Sequence, residues 1–232
     1  MELRVLPNAP AVANAGADFI ADSAKAAIAE RGKFVFAVSG GRTPWVMLTA
    51  LAKQSLPWDA IHIVQVDERV APANDPDRNL AHLRASLLSK APLPAANIHA
   101  MPVEDADLVS ASRAYGQTLE KLAGSPPILD LVHLGLGPDG HTASLVPGDP
   151  VLAVSDELVG TTGVYQGHHR MTLTYPVLNQ ARSLMFVVTG EEKVDALVKL
   201  MKHDQTIPAG RIRLDNALVI ADQSAAGDSD HG

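Results

Sequence analysis

The stretch Phe34-Val35-Phe36-Ala37-Val38-Ser39-Gly40-Gly41-Arg42-Thr43-Pro44 decides the fold. Its first five residues form a short continuous apolar run, as expected of a strand buried on both faces. Two glycines follow, then Thr43-Pro44, which suit the cap and first turn of a helix running to about Gln54. A buried strand that passes through a glycine loop straight into a helix is the opening unit of an α/β sheet.

Outward from this unit the pattern repeats. Upstream, the Ala-rich segment Ala11–Glu30 has helical spacing and stops at Gly32. Downstream, Ile61–Val66 reads as a second buried strand, and Asn79–Leu88 and Asp105–Leu122 as helices. Strands are expected at Ile128–Leu134, Arg170–Thr174, Ser183–Val188 and Asn216–Ile220, with a helix at Glu191–Met201. Strands alternating with helices predict one α/β domain over residues 1–222, a parallel or mixed sheet covered by helices on both faces. The polar stretch from Gln223 to Gly232 reads as a flexible tail.

Composition narrows the function. The chain has no cysteine, so disulfides and thiolate chemistry are excluded. A formal net charge of −7 without a basic block argues against nucleic-acid binding. No apolar run reaches the ~20 residues a membrane helix needs, and Met1-Glu2-Leu3-Arg4-Val5 lacks the order of a secretory signal, which points to the cytoplasm. In an acidic chain, an anionic ligand would have to be met by a few local cations.

In such sheets ligands sit beyond the carboxyl ends of the strands, so four loops carry the interest. Ser39-Gly40-Gly41-Arg42-Thr43 offers hydroxyls, close backbone approach and a helix N-terminus to a phosphate; the same residues would also make a tight turn. Asp67-Glu68-Arg69 follows the second buried strand, as a site or as a solvated ion cluster. Gly135-Leu136-Gly137-Pro138-Asp139-Gly140-His141 matches a dinucleotide fingerprint in form only, because Pro147-Gly148 breaks the helix that motif requires. What remains is a loop presenting Asp139 and His141, a carboxylate that can orient an imidazole and leave its second nitrogen as base. Thr189 and Glu192 form a capping-box pattern that places Lys193 in a first helical turn, against the dipole. Arg170, at a strand end, has the right chemistry for phosphate. His168 and His169 beside it would point to opposite faces of a strand and are a poor metal pair.

Taken together, VSGGRTP, VDERVAPANDPDRN, HLGLGPDGHTASLVPG, RMTLTYPVLNQA, FVVTGEEKVDAL and IPAGRI resemble the 6-phosphogluconolactonase family, within a fold group shared with glucosamine-6-phosphate isomerase (deaminase). The resemblance implies a modified Rossmann-like three-layer fold and hydrolysis of 6-phospho-D-glucono-1,5-lactone in the pentose phosphate pathway. It implies substrate and phosphate contacts from Ser39, Gly40, Gly41, Thr43, Arg69, Arg170 and Lys193, and a reacting centre at Asp67, Asp139 and His141. The ligand is then a phosphorylated sugar lactone, and no step of its hydrolysis requires a metal or cofactor; with composition offering no nucleic-acid or membrane partner, the expectation is a monomer or homodimer. The chain departs from the family at Arg42, Val70-Ala71, Arg78 and Val146, where Ser, Trp-Val, Ser and Phe are usual. The isomerases continue after Gly-His with an apolar segment ending in Asn-Glu-Pro. The run Thr142-Ala143-Ser144-Leu145-Val146-Pro147-Gly148 is instead similar to the lactonases.

Overall fold

The computed structural model describes residues 1–227. Phe34–Val38 is a strand (β2) with every residue buried. Phe34, Phe36 and Val38 pack into one hydrophobic core, and Val35 and Ala37 into another. The period-two alternation of a strand thus serves two helix layers at once, which is why the run contains no polar residue.

Six further strands complete a parallel sheet: Glu2–Leu6 (β1), Ile61–Gln65 (β3), Ile98–His99 (β5), Leu131–Leu134 (β6), Leu184–Val188 (β9) and Ala217–Asp222 (β10). Their order is β1-β10-β9-β6-β2-β3-β5, and every neighbouring pair is parallel. Three more strands, Asp67–Arg69 (β4), Val159–Thr161 (β7) and Arg170–Leu173 (β8), form a separate antiparallel sheet in the order β4-β8-β7. Helices Ala9–Arg31 (α1), Arg42–Leu51 (α2) and Asn79–Leu83 (α3) contribute to one core. The other is built from Leu108–Ala123 (α4), Tyr175–Leu178 (α5), Val194–Met201 (α6) and Gln223–Ala226 (α7), with residues of the small sheet. The three-layer α/β architecture agrees with the sequence reading.

Local chemistry sets several ends. Asn8 caps α1 by accepting from the Ala11 N–H, and Gly32 closes it in a left-handed conformation. Asp107 caps α4 through the N–H groups of Val109 and Ser110, so this helix starts at Leu108 rather than Asp105. The expected helix over Asn79–Leu88 relaxes after Leu83 into a π-turn, Arg84–Leu88. The tail expected from Gln223 begins instead as α7, capped by the Asp222 side chain; residues 228–232 lie outside the described residues. Two expected caps are not formed. Thr43 and Thr189 cap neither helix; their hydroxyls share a hydrogen bond of 2.8 Å with each other.

The largest correction concerns Asp67-Glu68-Arg69, expected as a loop, and the strand expected at Arg170–Thr174. The first is itself a strand, and it pairs with Arg170–Leu173 in the small antiparallel sheet, apart from the main one. The switch occurs at Val66, whose N–H donates to Val38 O in the large sheet while its carbonyl accepts from Leu173 in the small one. Glu68, fully buried, fixes the new direction. Its carboxylate accepts from the backbone N–H groups of Arg69, Asn79 and Leu80 and from the Gln65 side chain, at 2.7 to 2.9 Å. Arg78, equally buried, lies 3.3 Å away as a counter-ion. Glu68→Ala would strand those donors and leave buried Arg78 with only its more exposed partner Glu104, so it should lose roughly 3–5 kcal/mol in urea denaturation. A loss below about 1 kcal/mol, the size of an exposed ion pair, would show that Glu68 does not hold the switch.

Candidate functional site

The loops that follow β2, β6 and β9, together with β4 and the start of β8, open onto one cleft of about 610 Å³. Ser39, Gly40, Gly41, Thr43, Asp67, Arg69, His141, Arg170 and Lys193 all line it. Asp139 does not; it stands behind His141, with Oδ1 2.6 Å from the imidazole Nδ1. Arg42, Glu192 and Asp222 also reach the cleft.

The loop bearing Asp139 and His141 is built by its glycines. Gly137 N–H donates to His141 O and Gly140 N–H to Gly137 O, which folds the loop back on itself. A methyl group at Gly137 would overlap the imidazole, and Gly140 has φ 82° with its α-carbon against Ile207. Ala209 N–H donates to Gly140 O. The Ile207-Pro208-Ala209-Gly210 part of IPAGRI therefore supports this loop from outside the cleft. Asp139 Oδ1 accepts from both the backbone N–H and Nδ1 of His141, and Oδ2 accepts from the Tyr165 hydroxyl at 3.2 Å. Burial opposes ionisation of Asp139, but the neighbouring imidazole and these hydrogen bonds outweigh it and hold the carboxyl below its usual range. A carboxylate on Nδ1 fixes the tautomer in which Nε2 is unprotonated and free to act as a base.

The rest of the cleft carries cations held close together. Arg69 and Arg170 are direct cross-strand partners in the β4–β8 pair. Like charges placed so are unfavourable, and the Asp67 carboxyl, close to both, offsets part of that cost. Both guanidinium groups keep a buried Nε–H without a partner among the described residues. Arg69 is steered by Asp77 O at 2.6 Å and Asn79 Oδ1 at 2.9 Å. Arg170 is buried, not a surface residue as strand-end arginines usually are. Asp67 stands on the same face of β4 as Arg69, its Oδ2 accepting from Ser144 Oγ at 2.7 Å. Burial pushes the Asp67 carboxyl up, against the Ser144 hydrogen bond and the two arginines.

The second group of cations flanks the glycine loop. The ammonium of Lys193, in the 3₁₀ turn Glu191–Lys193 before α6, makes no hydrogen bond or ion pair among the described residues. Burial lowers its pKa, opposed by the charges of Glu192 and Asp139 and reinforced by Arg42. Arg42 opens α2 directly after Gly41, whose φ of 136° excludes most side chains, and no side chain caps that helix. Gly40 packs so closely on Asn79 that a methyl group there would collide with its amide. Beneath the loop, His133 Nδ1 accepts from the Ser39 N–H at 3.3 Å, and burial pushes its pKa down to about 3, so the ring is neutral. The Ser39 N–H is thereby used internally. His168 and His169 diverge, one to the Asp77 carboxylate and the other to Thr162 O.

Four contributors were not anticipated. Ser144 and Asn79 lie in stretches already singled out, but contacts only a fold reveals give them their partners. His133 reads as an ordinary strand residue, and Tyr165 carries no signal in the sequence.

The sheet and cleft define a Rossmann-like α/β enzyme with a cation-lined cleft and an imidazole paired to a carboxylate. Residues 7–220 match the family of glucosamine-6-phosphate isomerases/6-phosphogluconolactonase, and the chain belongs to this family. The 6-phosphogluconolactonase of Synechocystis sp. is 42% identical over 207 residues, 86% of each chain. That of Nostoc sp. is 40% identical over 202 residues, 85% of this chain and 84% of the relative. The crystal structure of 6-phosphogluconolactonase from Thermotoga maritima superposes with a TM-score of 0.85 at 28% identity, covering 95% of this chain and 98% of that one. Among the described residues no helix is long and apolar enough to cross a membrane.

Gly137→Ala isolates the imidazole geometry, because the backbone at that position is open to any residue. In wild type, ¹⁵N spectra of neutral His141 should show the proton on Nδ1. In the variant that signature should be lost while the fold persists; an unchanged tautomer would mean that Gly137 does not set the ring's place.

Proposed function

We propose that this chain hydrolyses 6-phospho-D-glucono-1,5-lactone to 6-phospho-D-gluconate, a pentose phosphate pathway step, with His141 as the proton-transfer group. The observation that supports it most is the shared cleft: His141, its imidazole oriented by Asp139, lines the same space as cations suited to one small anion. The names of the nearer relatives point the same way.

The substrate phosphate is held at the Ser39-Gly40-Gly41-Thr43 loop with Lys193 and Arg170. Its binding energy positions the sugar ring, which loses its freedom before the chemical step. His141 Nε2 takes a proton from water as the water oxygen attacks C1. The carbonyl electrons move onto oxygen, and the Arg69 guanidinium, which lines the cleft, is the donor offered to that oxyanion. The bond from C1 to the ring oxygen then breaks, and the imidazolium returns the proton to the leaving oxygen. Asp139 stays ionised throughout and stabilises the imidazolium. Asp67, buried between Ser144 and the two arginines, keeps those cations oriented and accepts from a sugar hydroxyl.

The test is lactone opening measured against the spontaneous reaction, with glucosamine 6-phosphate as a parallel substrate. Wild type should accelerate the first and leave the second untouched; turnover of the amino sugar alone would favour the isomerase branch. His141→Ala should lower kcat by about 10²–10⁴ with the fold intact, and near-normal turnover would remove its role. Lys193→Ala and Arg170→Ala should each raise KM by roughly 10-fold or more, the size of a lost charge-assisted hydrogen bond. If a lactone lacking the phosphate were opened equally well by wild type, the anion assignment would fail.

A further inference from the structure

We propose that Tyr165 is a positioning residue of this site, joining the Asp139–His141 pair to the Arg170 guanidinium through one aromatic ring. The inference rests on the lactonase reading for its kinetic readout.

Between β7 and β8 the chain makes a tight two-residue turn. Tyr165 N–H donates to His168 O, and His168 N–H to Tyr165 O. Gln166 and Gly167, the two central residues, have φ of 50° and 84°, the left-handed pair that a type I′ turn demands. Glycine adopts this freely, but glutamine rarely does, so the surroundings must hold it there. Gln166 Oε1 accepts from Arg170 Nη2 at 3.1 Å, His168 is tied to Asp77 at 3.1 Å, and His169 Nδ1 to Thr162 O at 2.9 Å. The turn is thus fixed at its tip and on its returning limb, and its first residue is aimed at the site.

Three contacts converge on that side chain. The hydroxyl donates to Asp139 Oδ2 at 3.2 Å. It also lies 3.4 Å from His141 Nδ1, but the proton of that nitrogen already goes to Asp139 Oδ1, so the hydroxyl proton is directed to Oδ2. Both oxygens of the carboxylate are then occupied, and it cannot rotate away from the imidazole. The ring meets His141 edge-on, with centroids 5.4 Å apart at 69°. The Arg170 guanidinium carbon stands 5.0 Å from the centre of the same ring, a cation–π contact. Burial and the Asp139 charge raise the Tyr165 pKa, which keeps the hydroxyl a donor. Tyr165 does not line the cleft, so it acts through the groups that do.

Two substitutions separate the hydroxyl contact from the two ring contacts. Tyr165→Phe keeps the ring and removes the hydroxyl. It should lower lactone-hydrolysis kcat about tenfold and leave KM within about twofold of wild type. Tyr165→Ala removes the ring too and should add a several-fold rise in KM, which Phe restores. Wild-type kcat in the Phe variant, or equal changes in KM in both variants, would overturn the proposal. The ¹⁵N signal of the His141 imidazole gives a readout without turnover: Tyr165→Phe should shift it, and an unchanged signal would overturn the proposal even if the protein acts on a different substrate. Absence of lactone hydrolysis by wild type would count against the lactonase reading alone.

Discussion

A single buried carboxylate fixes the geometry from which the site follows. Glu68 has no access to solvent, accepts four N–H groups and faces the buried guanidinium of Arg78. An ion in that position is tolerable only when fully hydrogen-bonded. Its partners come from β3, β4 and the start of α3, so satisfying it locks three elements together. Asn79 is thereby placed against Gly40 and Arg69. β4 is placed opposite β8, which brings Arg69 and Arg170 face to face. The costly juxtaposition of two guanidinium groups is a result of structural chemistry one residue away.

Much of this was legible in the sequence. Phe34–Val38 declared a doubly buried strand because an apolar run of that length has few other uses, and the glycine loop after it marked the edge of the sheet where the cleft opens. His141 and Asp139 could be singled out from their spacing and from the glycines around them. What could not be read was the second sheet. A three-residue strand such as Asp67–Arg69 has too little pattern to announce itself, and its pairing with residues a hundred positions away is decided by contacts at Val66 and Glu68. The same reason hides Tyr165, whose role depends on a turn that folds it back onto a loop over twenty residues earlier. The caps expected at Thr43 and Thr189 failed for a related reason: two hydroxyls close in space satisfied each other, a long-range choice that local capping rules do not contain.

The charge distribution fits the proposed chemistry. The chain is acidic overall, yet Arg42, Arg69, Arg170 and Lys193 open onto one cleft. Concentrated positive charge inside a negative protein selects a small anion over a polyanion. The cations fall into two groups, one at the glycine loop and one across the small sheet, with the imidazole loop lining the same space. A phosphate shared by the glycine loop, Lys193 and Arg170, with a developing oxyanion at Arg69, would answer both.

The central claim is that the imidazole at 141 and the anion loop engage one molecule together. A titration with 6-phosphogluconate, followed by NMR, tests this most directly. The amide signals of Gly40, Gly41 and Lys193 and the imidazole signals of His141 should move together along one binding curve with one Kd. Saturation of the loop signals while the His141 ring stays unperturbed would contradict the account.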